Sequence, residues 1–432
     1  MIARWQRILL LFILLTMAAW LVWQWPHSPL RAVLGALVPL SIYLVVMAVE
    51  FVLMHITNRT DAAPRARLSQ VVGAWWAEVW VALMVFCWRQ PFRHQSLPDW
   101  LPAQPTGKRG VVLVHGFMCN RGLWLPWFAP LQARGHAYVA VNLEPVMGSI
   151  DEYADIIEDA VRQVTAATGQ APVLLCHSMG GLAVRAWLRA HQADGRVHRV
   201  LTLGTPHRGS LNAVGFLENG MKKGIGPLGL DLSPLLRSLT SVYQLLPIYP
   251  CVDSGSGVLQ RVADAAGAGA LPHVDAKRAT AARAFHQEIQ DAQAANAKLA
   301  AYAEQGPTVV PVVGIEQPTA QSARMDGGRL TLLNEYDGED LGGDGTVPRV
   351  SGTPIELGDA KREVYAADLQ KWFDVRARYL QWTDGRLAQM LIATDITVRR
   401  RMEEQTAHQI DRAQATSRLV TMGEMASTLA HE

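Results

Sequence analysis

The stretch that decides the fold is Val173-Leu-Leu-Cys-His-Ser178-Met-Gly-Gly181, in which a short apolar run ends at a serine and two glycines. A helix-like run, Leu182-Ala-Val-Arg-Ala-Trp-Leu-Arg-Ala-His191, follows directly. This order predicts a buried strand, a sharp turn that carries Ser178, and a helix whose positive end faces the serine. Such a strained turn exposes a serine hydroxyl above a sheet and suits Ser178 as a nucleophile. Cys176 stands where the G-x-S-x-G pattern has its first glycine, and it is still small.

A second apolar run, Gly110-Val-Val-Leu-Val-His-Gly-Phe117, predicts a buried strand that ends in a His-Gly turn. A turn of this kind contributes a backbone N–H to an oxyanion hole, here that of Phe117. The residue after the nucleophile, Met179, contributes the other N–H. The alternative is that both runs are ordinary core strands with glycine turns, but their occurrence together favours the catalytic interpretation.

Strand and helix patterns alternate around these two motifs. The runs 136–142, 199–204 and 309–314 are typical of buried strands. Ser149 and Glu152 predict a capping box that opens a helix with one apolar face. The alternation predicts an α/β fold with a parallel sheet covered on both faces by helices.

Between about residues 211 and 300, glycine-rich and apolar segments interrupt the alternation and predict a helical cap over the site. Further on, Leu341-Gly-Gly-Asp344-Gly-Thr-Val-Pro348 places an acid on a glycine-rich turn, as the chain order Ser, Asp, His requires. The alternative for Asp344 is a solvated aspartate in a tight turn. The neighbouring acids lack the alternation of an EF-hand, so we assign neither a metal nor a cofactor.

The His-Gly-Phe, Cys-His-Ser-Met-Gly-Gly and Gly-Thr-Pro-His-Arg-Gly-Ser motifs together resemble the bacterial triacylglycerol lipase branch of the α/β-hydrolases. The run from Ser210 to about Leu369 resembles the lecithin:cholesterol acyltransferase-like lipases, whose Gly-Asp-Gly-Thr-Val turn carries the triad acid, which maps onto Asp344. These resemblances imply an α/β-hydrolase that cleaves lipid or other acyl esters. They also predict that the N-terminal half of one lipase is joined to the C-terminal half of a related lipase near the turn that ends at Ser210. By this resemblance, His207 in that turn is not the triad base.

The triad histidine of such enzymes is missing from its expected place, because no histidine occurs between Asp344 and His408. Residues 363–368 are typical of the last strand of the sheet, and Gln370 stands roughly where the histidine follows that strand. His207, His273 and His286 precede the acid and are therefore outside the usual chain order. We therefore expect a membrane-attached serine esterase that is impaired.

The C-terminal segment changes character again. Residues 371–397 predict a hairpin that turns at Thr383-Asp-Gly385, and a charged helix begins at Val398. The hairpin resembles the last strands of a PAS sensor domain, and Met422-Gly-Glu-Met-Ala-Ser-Thr-Leu-Ala-His-Glu432 resembles the phospho-acceptor box of a sensor histidine kinase. This resemblance implies a signalling fragment in which the helix forms a homodimer and His431 accepts phosphate from a partner kinase. A catalytically silent membrane scaffold is the third alternative.

Apolar runs near the N-terminus predict a membrane anchor. The runs Ile8–Trp25 and Ala32–Met54 are each long enough to cross a hydrocarbon core about 30 Å thick. Val71–Trp88 is interrupted by Glu78 and either spans or lies in the interface. The predicted domains are then an anchor at 1–92, a hydrolase at 105–369, a PAS-like hairpin at 370–397 and a signalling helix at 398–432.

The distribution of arginines favours an N-terminus on the inside. The resemblance to membrane-attached bacterial lipases implies a bacterial inner membrane protein. The hydrolase faces outward if the third run spans and faces the cytoplasm if that run is interfacial. The basic residues after the third run favour the cytoplasmic face: Arg89, Arg93, Lys108 and Arg109.

The composition of the whole chain adds two expectations. The formal net charge of +2 over 432 residues gives no argument for a nucleic-acid partner. The four cysteines are scattered without C-x-x-C spacing and indicate neither a disulfide framework nor a metal site. The lipase resemblance implies a lipid or other acyl ester as substrate, and the apolar N-terminal runs predict the membrane as the other partner.

Overall fold

The chain folds into two compact units. The first comprises Met1–Leu357 with Tyr379–Ala388, and the second comprises Gly358–Arg378 with Gln389–Glu432. Both the apolar N-terminal helices and the parallel sheet belong to the first unit. The computed structural model describes residues 1–57, 66–190, 196–223, 230–296, 308–314, 317–336, 338, 340–353, 361–366, 371–381 and 387–402.

The described part of the N-terminal segment contains four helices, and the fourth continues as a π-helix, Leu83–Arg93. The four are α1 Ile2–Gln24, α2 Pro29–Ala36, α3 Val38–Thr57 and α4 Leu68–Ala82. Within the described residues, Ile2–Gln24 and Leu68–Arg93 are each long and apolar enough to cross a membrane. The third predicted run is thus part of one long helix of 26 residues.

The second predicted span, Ala32–Met54, is not one straight helix. The axes of α2 and α3 are bent by 47°, so the pair is either a broken span or a re-entrant loop. Pro39, in the first turn of α3, has no N–H to give to the carbonyl of Gly35, which favours a break at this point. The hydropathy of the sequence shows the apolar run but not this break.

Among the described residues, the main sheet has five parallel strands, in the order β2-β1-β3-β4-β9. They are β1 Val111–Val114, β2 Tyr138–Ala140, β3 Val173–His177, β4 Arg199–Leu203 and β9 Thr308–Val312. The register aligns Val114 with Cys176 and aligns His177 with Leu203. The carboxyl ends of these strands therefore meet at one edge, and the predicted α/β class with a parallel sheet is confirmed.

Helices pack on this sheet as the alternating pattern predicts: α5 Leu125–Ala133, α6 Ala154–Thr168 and α7 Met179–Ala190. Short 3-10 turns, Arg121–Trp124 and Ile150–Tyr153, precede α5 and α6. The predicted capping box at Ser149 is wrong, because the Ser149 side chain makes no capping hydrogen bond. Its hydroxyl donates instead to the carboxylate of Asp151 at 3.3 Å and to the amide oxygen of Gln244 at 3.2 Å.

The insertion after β4 contains both helices and strands, so it is not helical throughout. Its helices are α8 Leu211–Glu218, α9 Ser233–Ser238, α10 Thr240–Gln244, α11 Val262–Gly267 and α12 Ala276–Asn296. Its short strands are β5 Lys222–Lys223, β6 Leu230–Asp231, β7 Val252–Asp253 and β8 Leu259–Gln260. Two later strands, β10 Ser322–Asp326 and β11 Arg329–Leu333, complete a sheet of order β11-β10-β7-β8.

Gln244, at the end of α10, ties this insertion to the hydrolase body. Its amide oxygen accepts from the N–H of Ile150 at 2.7 Å, and its amide nitrogen donates to the hydroxyl of Ser149 at 2.9 Å. The carbonyl of Gln244 accepts from Nε2 of buried His286 on α12 at 2.8 Å. Because Gln244 is itself buried, these hydrogen bonds fix where the insertion docks on the body.

The C-terminal strands form a separate sheet of order β12-β13-β14, comprising Lys361–Ala366, Lys371–Gln381 and Leu387–Asp395. The strand predicted at 363–368 as the last of the hydrolase sheet is therefore misassigned, since β12 pairs with β13 in antiparallel register. A parallel strand needs a crossover of a dozen or more residues, whereas four residues separate β12 from β13. The predicted hairpin corresponds to β13 and β14; its turn at 383–385 lies outside the described residues.

Candidate active site

The turn that carries Ser178 lies between β3 and α7, as the sequence predicts. Ser178 has a φ of +51°, which a residue with a side chain rarely adopts and which marks a strained turn. Its N–H donates to the carbonyl of Leu203 at 2.9 Å, and its own carbonyl accepts from the hydroxyl of Thr205 at 2.9 Å. These bonds to the end of β4 hold the serine at the carboxyl edge of the sheet, where its side chain is half-buried.

The two glycines after Met179 allow α7 to approach its neighbours closely. A Cβ at Gly180 would lie 2.5 Å from the carbonyl oxygen of His115, and a Cβ at Gly181 would lie 2.2 Å from the hydroxyl of Thr205. Both distances are far inside van der Waals contact, so a larger residue at either position would push the helix off the sheet. The Ser-Met-Gly-Gly sequence is thus required by packing as well as by the turn.

The predicted oxyanion turn lies directly beside the serine. A Cβ built on Gly116 would lie 2.9 Å from Ser178 Cβ. His115 fixes the turn from below, since its Nδ1 donates to the carbonyl of Gly116 at 2.9 Å and its Nε2 accepts from the N–H of Leu143 at 3.0 Å. Burial lowers the pKa of His115 to about 4, so this ring is a neutral structural group at pH 7.

The two backbone N–H groups assigned to the oxyanion hole belong to Phe117 and Met179. Within the described residues, neither N–H donates a hydrogen bond outside the regular helices and strands. The Phe117 ring packs against the core of the insertion, while Met118 has a φ of +55° and is exposed. Two N–H groups in this arrangement are suited to bind a developing negative charge beside a serine.

Asp344 lies at the same edge of the sheet, beyond β4 and β9. Its Oδ2 is 2.9 Å from a Cβ built on Gly204, which follows β4, and its Cβ is 2.5 Å from one built on Gly314, which follows β9. Its Oδ1 accepts from the N–H groups of Thr346 at 2.9 Å and Val347 at 2.7 Å. The side chain is exposed, so one carboxylate oxygen is held by the turn and the other faces the strand ends.

The pKa of His177, which directly precedes the serine, is subject to two opposing effects. Burial lowers the pKa of His177, and the negative charge of Asp344 acts in the opposite direction. Its Nδ1 is buried, has no hydrogen-bond partner among the described residues, and lies 3.1 Å from the Cβ built on Gly116. The His177 ring therefore lies beside the oxyanion turn and directly precedes the serine in the chain, a position to which sequence reasoning gave no role although the motif contains this residue.

No side chain of the described residues hydrogen-bonds to Ser178 Oγ, and the histidines considered as substitute bases are engaged elsewhere. Nε2 of His207 contacts the hydroxyl of Thr202 at 3.0 Å, and burial lowers the pKa of His207 well below its usual value. His273 contacts Glu218 at 2.9 Å, and His286 contacts the main chain of α10. The positions of Gln370, His408 and His431 lie outside the described residues, so the assignments made for them stay predictions.

The structure thus brings Ser178, Phe117, Met179 and Asp344 together at one edge of the sheet. The sequence analysis assigned no role to Thr205 or His115, which hold this edge together. The Gly-Thr-Pro and His-Gly turns that contain them were the sequence signals from which these roles could have been found. Among the described parts of the chain, no group of three or more His, Cys, Asp or Glu side chains is arranged to hold a metal ion. All four cysteines are free.

A parallel sheet whose central strand ends in a strained serine turn followed by a helix defines the α/β-hydrolase fold. The lecithin:cholesterol acyltransferase family matches residues 147–304. This range includes the serine turn and crosses Ser210, so it gives no support to a join between two lipase halves at that turn. It ends before Asp344, whose role it does not address.

One curated relative is the esterase PIR7B of Oryza sativa subsp. japonica, which is 34% identical over 88 residues. The match covers 18% of this chain and 32% of the relative, so the chain spans about a third of that protein's length.

Two solved structures show similarity at low identity. The mature form of the Bacillus licheniformis lipase BlEst2 is 19% identical, with a TM-score of 0.33, over 50% of this chain and 71% of the lipase. The phospholipase PlaB of Legionella pneumophila is 14% identical, with a TM-score of 0.32, over 63% of this chain and 50% of the phospholipase.

Proposed function

We propose that this chain is a membrane-attached serine hydrolase of carboxylic esters that lacks an effective catalytic base. Ser178 is the nucleophile, and the N–H groups of Phe117 and Met179 bind the oxyanion of the tetrahedral intermediate. The observation that carries this proposal is the φ of +51° at Ser178, in a turn packed directly against Gly116. A serine held in this way between a strand and a helix N-terminus suits acyl transfer.

Asp344 is the acid of the incomplete triad. Its position at the ends of β4 and β9 supports this role, because a histidine that bridges Asp344 and Ser178 would lie at the same edge of the sheet. A serine hydroxyl is a weak nucleophile without an adjacent base. Loss of a triad member in comparable enzymes leaves a residual acceleration of about 10³–10⁴-fold over water. We therefore expect slow turnover of simple esters.

The experiment separates the nucleophile from the base. A fluorophosphonate probe should label Ser178 on long incubation, and the Ser178→Ala variant should remain unlabelled. Labelling that persists in that variant would refute the assignment of the nucleophile.

Gln370→His tests the missing base, with Gln370→Asn as the matched control that adds no imidazole. We expect turnover of a soluble p-nitrophenyl ester to rise by about 10²-fold or more in the histidine variant alone. Added free imidazole should produce a smaller, saturable rise in the parent chain. Robust turnover in the parent chain, abolished when one existing histidine is replaced, would identify a different base.

The helix contacts support a particular membrane topology. Gln6 Nε2 donates to Gln90 Oε1 at 2.9 Å, and Arg7 Nε donates to the carbonyl of Pro91 at 2.6 Å. The start of α1 and the end of Leu68–Arg93 therefore lie on the same side of the membrane if both helices cross it. The bent pair of α2 and α3 must then return to the side from which it enters, as a re-entrant loop.

This topology changes the orientation expected if the third run spans, because the N-terminus and the hydrolase then lie on one side. Six basic residues belong to that side: Arg4, Arg7, Arg89, Arg93, Lys108 and Arg109. The segments between the two spans carry four: Arg31, Arg59, Arg65 and Arg67. The balance favours a cytoplasmic hydrolase on a bacterial inner membrane.

Carbonate extraction tests the anchoring, since an integral protein stays in the membrane pellet. Reporter fusions after residues 26 and 95 test the orientation. We expect alkaline phosphatase to be active at the first site and green fluorescent protein to fluoresce at the second. The reverse pattern would place the hydrolase outside.

A further inference from the structure

The second membrane helix ends directly against the loop that carries the oxyanion turn. The side-chain amide of Asn120 donates to the carbonyl of Gln90 at 2.9 Å. A Cβ built on Gly122 would lie 3.0 Å from the carbonyl oxygen of Arg89 and 3.0 Å from Gln90 Cα. The last turn of the helix therefore packs closely on Gly122 and is hydrogen-bonded by the side chain of Asn120.

Arg121 fixes this junction. Its guanidinium donates to the carbonyls of His94 at 2.7 Å and Leu97 at 2.8 Å, and it pairs with Asp99 at 2.6 Å. Its Nε donates to the carbonyl of Ala140 in β2 at 3.0 Å, so one buried side chain joins the segment after the helix to the main sheet. Buried, charge-assisted bonds of this number restrict the hydrolase to one orientation relative to the helix end.

Exposed apolar side chains lie on both sides of this junction. Trp88 and Phe92 near the helix end are 48% and 50% exposed, with ring centroids 5.9 Å apart. From the hydrolase, Met118 is 39% exposed and Trp127 is 45% exposed. Met118 directly precedes the pair Cys119 and Asn120 that contacts Gln90. Large apolar side chains exposed beside a membrane helix are typical of groups that enter the lipid interface.

We propose that Met118 and Trp127 form a docking surface that inserts into the lipid headgroup region of the leaflet at which Leu68–Arg93 ends. The occupant is a phospholipid bilayer, because the surface is continuous with a helix that is apolar enough to span one. Trp88 and Phe92 add exposed apolar side chains at the end of that helix, and Trp is enriched at the depth of the membrane interface. Exposed Arg93 faces the headgroup layer, where it suits lipid phosphates.

Docking here has a consequence for the substrate, and that consequence rests on the proposed function. Met118 follows Phe117, whose N–H binds the oxyanion in that proposal. A leaflet in contact with Met118 would bring lipid ester groups close to the oxyanion turn. The substrate class is then an acyl ester of a membrane lipid drawn from this leaflet, and a soluble short-chain ester would be a poor mimic.

Photocrosslinking tests the docking without requiring catalysis. p-Benzoylphenylalanine is placed singly at Met118, Trp127 or Val258 in the full chain, which is reconstituted in vesicles of phosphatidylcholine and phosphatidylglycerol. Val258 is the matched control, as it is apolar, 65% exposed and located on the insertion. The same residue placed at Trp76, in α4, is the positive control for lipid contact.

We expect phospholipid adducts at positions 118 and 127 at about tenfold or more above the level at position 258. Adducts at position 76 alone, or equal adducts at 118, 127 and 258, would overturn the docking surface. Repeating the measurement with Ser178→Ala separates the two proposals, because loss of the nucleophile should leave the adducts unchanged. Adducts without any Ser178 reactivity would keep the docking surface and contradict the proposed hydrolase.

Discussion

The Arg121 junction gives the sharpest stability prediction, because one buried guanidinium serves several acceptors. The Arg121 side chain is 8% exposed and that of Asp99 is 33% exposed. Arg121→Met keeps an apolar stem of similar length but removes the guanidinium, whose carbon lies 5.1 Å from the Phe128 ring centroid. It leaves the carbonyls of His94 and Leu97 without this donor and leaves Asp99 without its cation.

Breaking a buried ion pair by removing one partner typically costs about 3–5 kcal/mol. Asp99 is one-third exposed, and water will partly solvate it, so we place Arg121→Met near the lower end, at about 3 kcal/mol. Asp99→Asn is the matched control. In the parent chain, the Asp99 carboxylate also accepts a hydrogen bond from the N–H of Ala140 at 2.9 Å. The side-chain oxygen of asparagine can still accept both this bond and the one from Arg121. We expect this variant to lose only about 1 kcal/mol.

The assay is guanidinium unfolding of the detergent-solubilised chain, followed by tryptophan emission, since Trp100 and Trp124 lie in the hydrophobic cluster next to this junction. The free energy of unfolding is compared for the parent and both variants. A loss below about 1 kcal/mol in Arg121→Met, or equal losses in both variants, would refute the reasoning that the buried guanidinium carries the junction.

Substitutions at three further positions test the packing around the serine and the insertion. Burial lowers the pKa of His286 to about 4 from 6.5, so its stabilisation is present above pH 6.5 and is lost as pH falls toward 4. His286→Gln should therefore reduce the acid-induced loss of unfolding free energy by up to about 3 kcal/mol. Gly180→Ala, whose Cβ meets the His115 carbonyl oxygen at 2.5 Å, should lower stability by about 1–3 kcal/mol and abolish probe labelling. Thr205→Val should cost about 1 kcal/mol and slow labelling of Ser178, whereas Thr205→Ser should retain both. Unchanged denaturation curves and labelling rates would contradict these assignments.

The central strands of the hydrolase were predictable because parallel strands buried on both faces are nearly continuous apolar runs. β3 begins at Val173 and ends at His177, and β4 begins at Arg199, as the sequence indicates. The serine turn was predictable from the Ser-Met-Gly-Gly motif. The serine occupies the strained turn, and the two glycines allow the helix to pack closely on its neighbours.

Tertiary pairing decided what the sequence could not show. β7 and β8 have two residues each, too few for a periodic signal, and they exist only because β10 and β11 complete their sheet. Residues 361–366 carry strand-like composition, but composition does not say which sheet a strand joins. Ser149 precedes a helix as an N-cap residue does. Its hydroxyl nevertheless donates to the side chain of Gln244, almost a hundred residues later in the chain, and does not cap the helix.

The surroundings of Asp344 bear on whether this edge of the sheet was built for a triad. A solvated aspartate in a tight turn needs only the N–H groups of Thr346 and Val347, and these occupy Oδ1. That account does not explain Oδ2, which faces Gly204, or why Gly314 leaves room for the Asp344 side chain where any Cβ would overlap it. Two strand ends that both carry glycine opposite one carboxylate favour a position selected for the acid. If Asp344 is the acid, the site lacks only the imidazole of a catalytic triad. A single substitution after β12, Gln370→His, then tests whether adding that imidazole restores turnover.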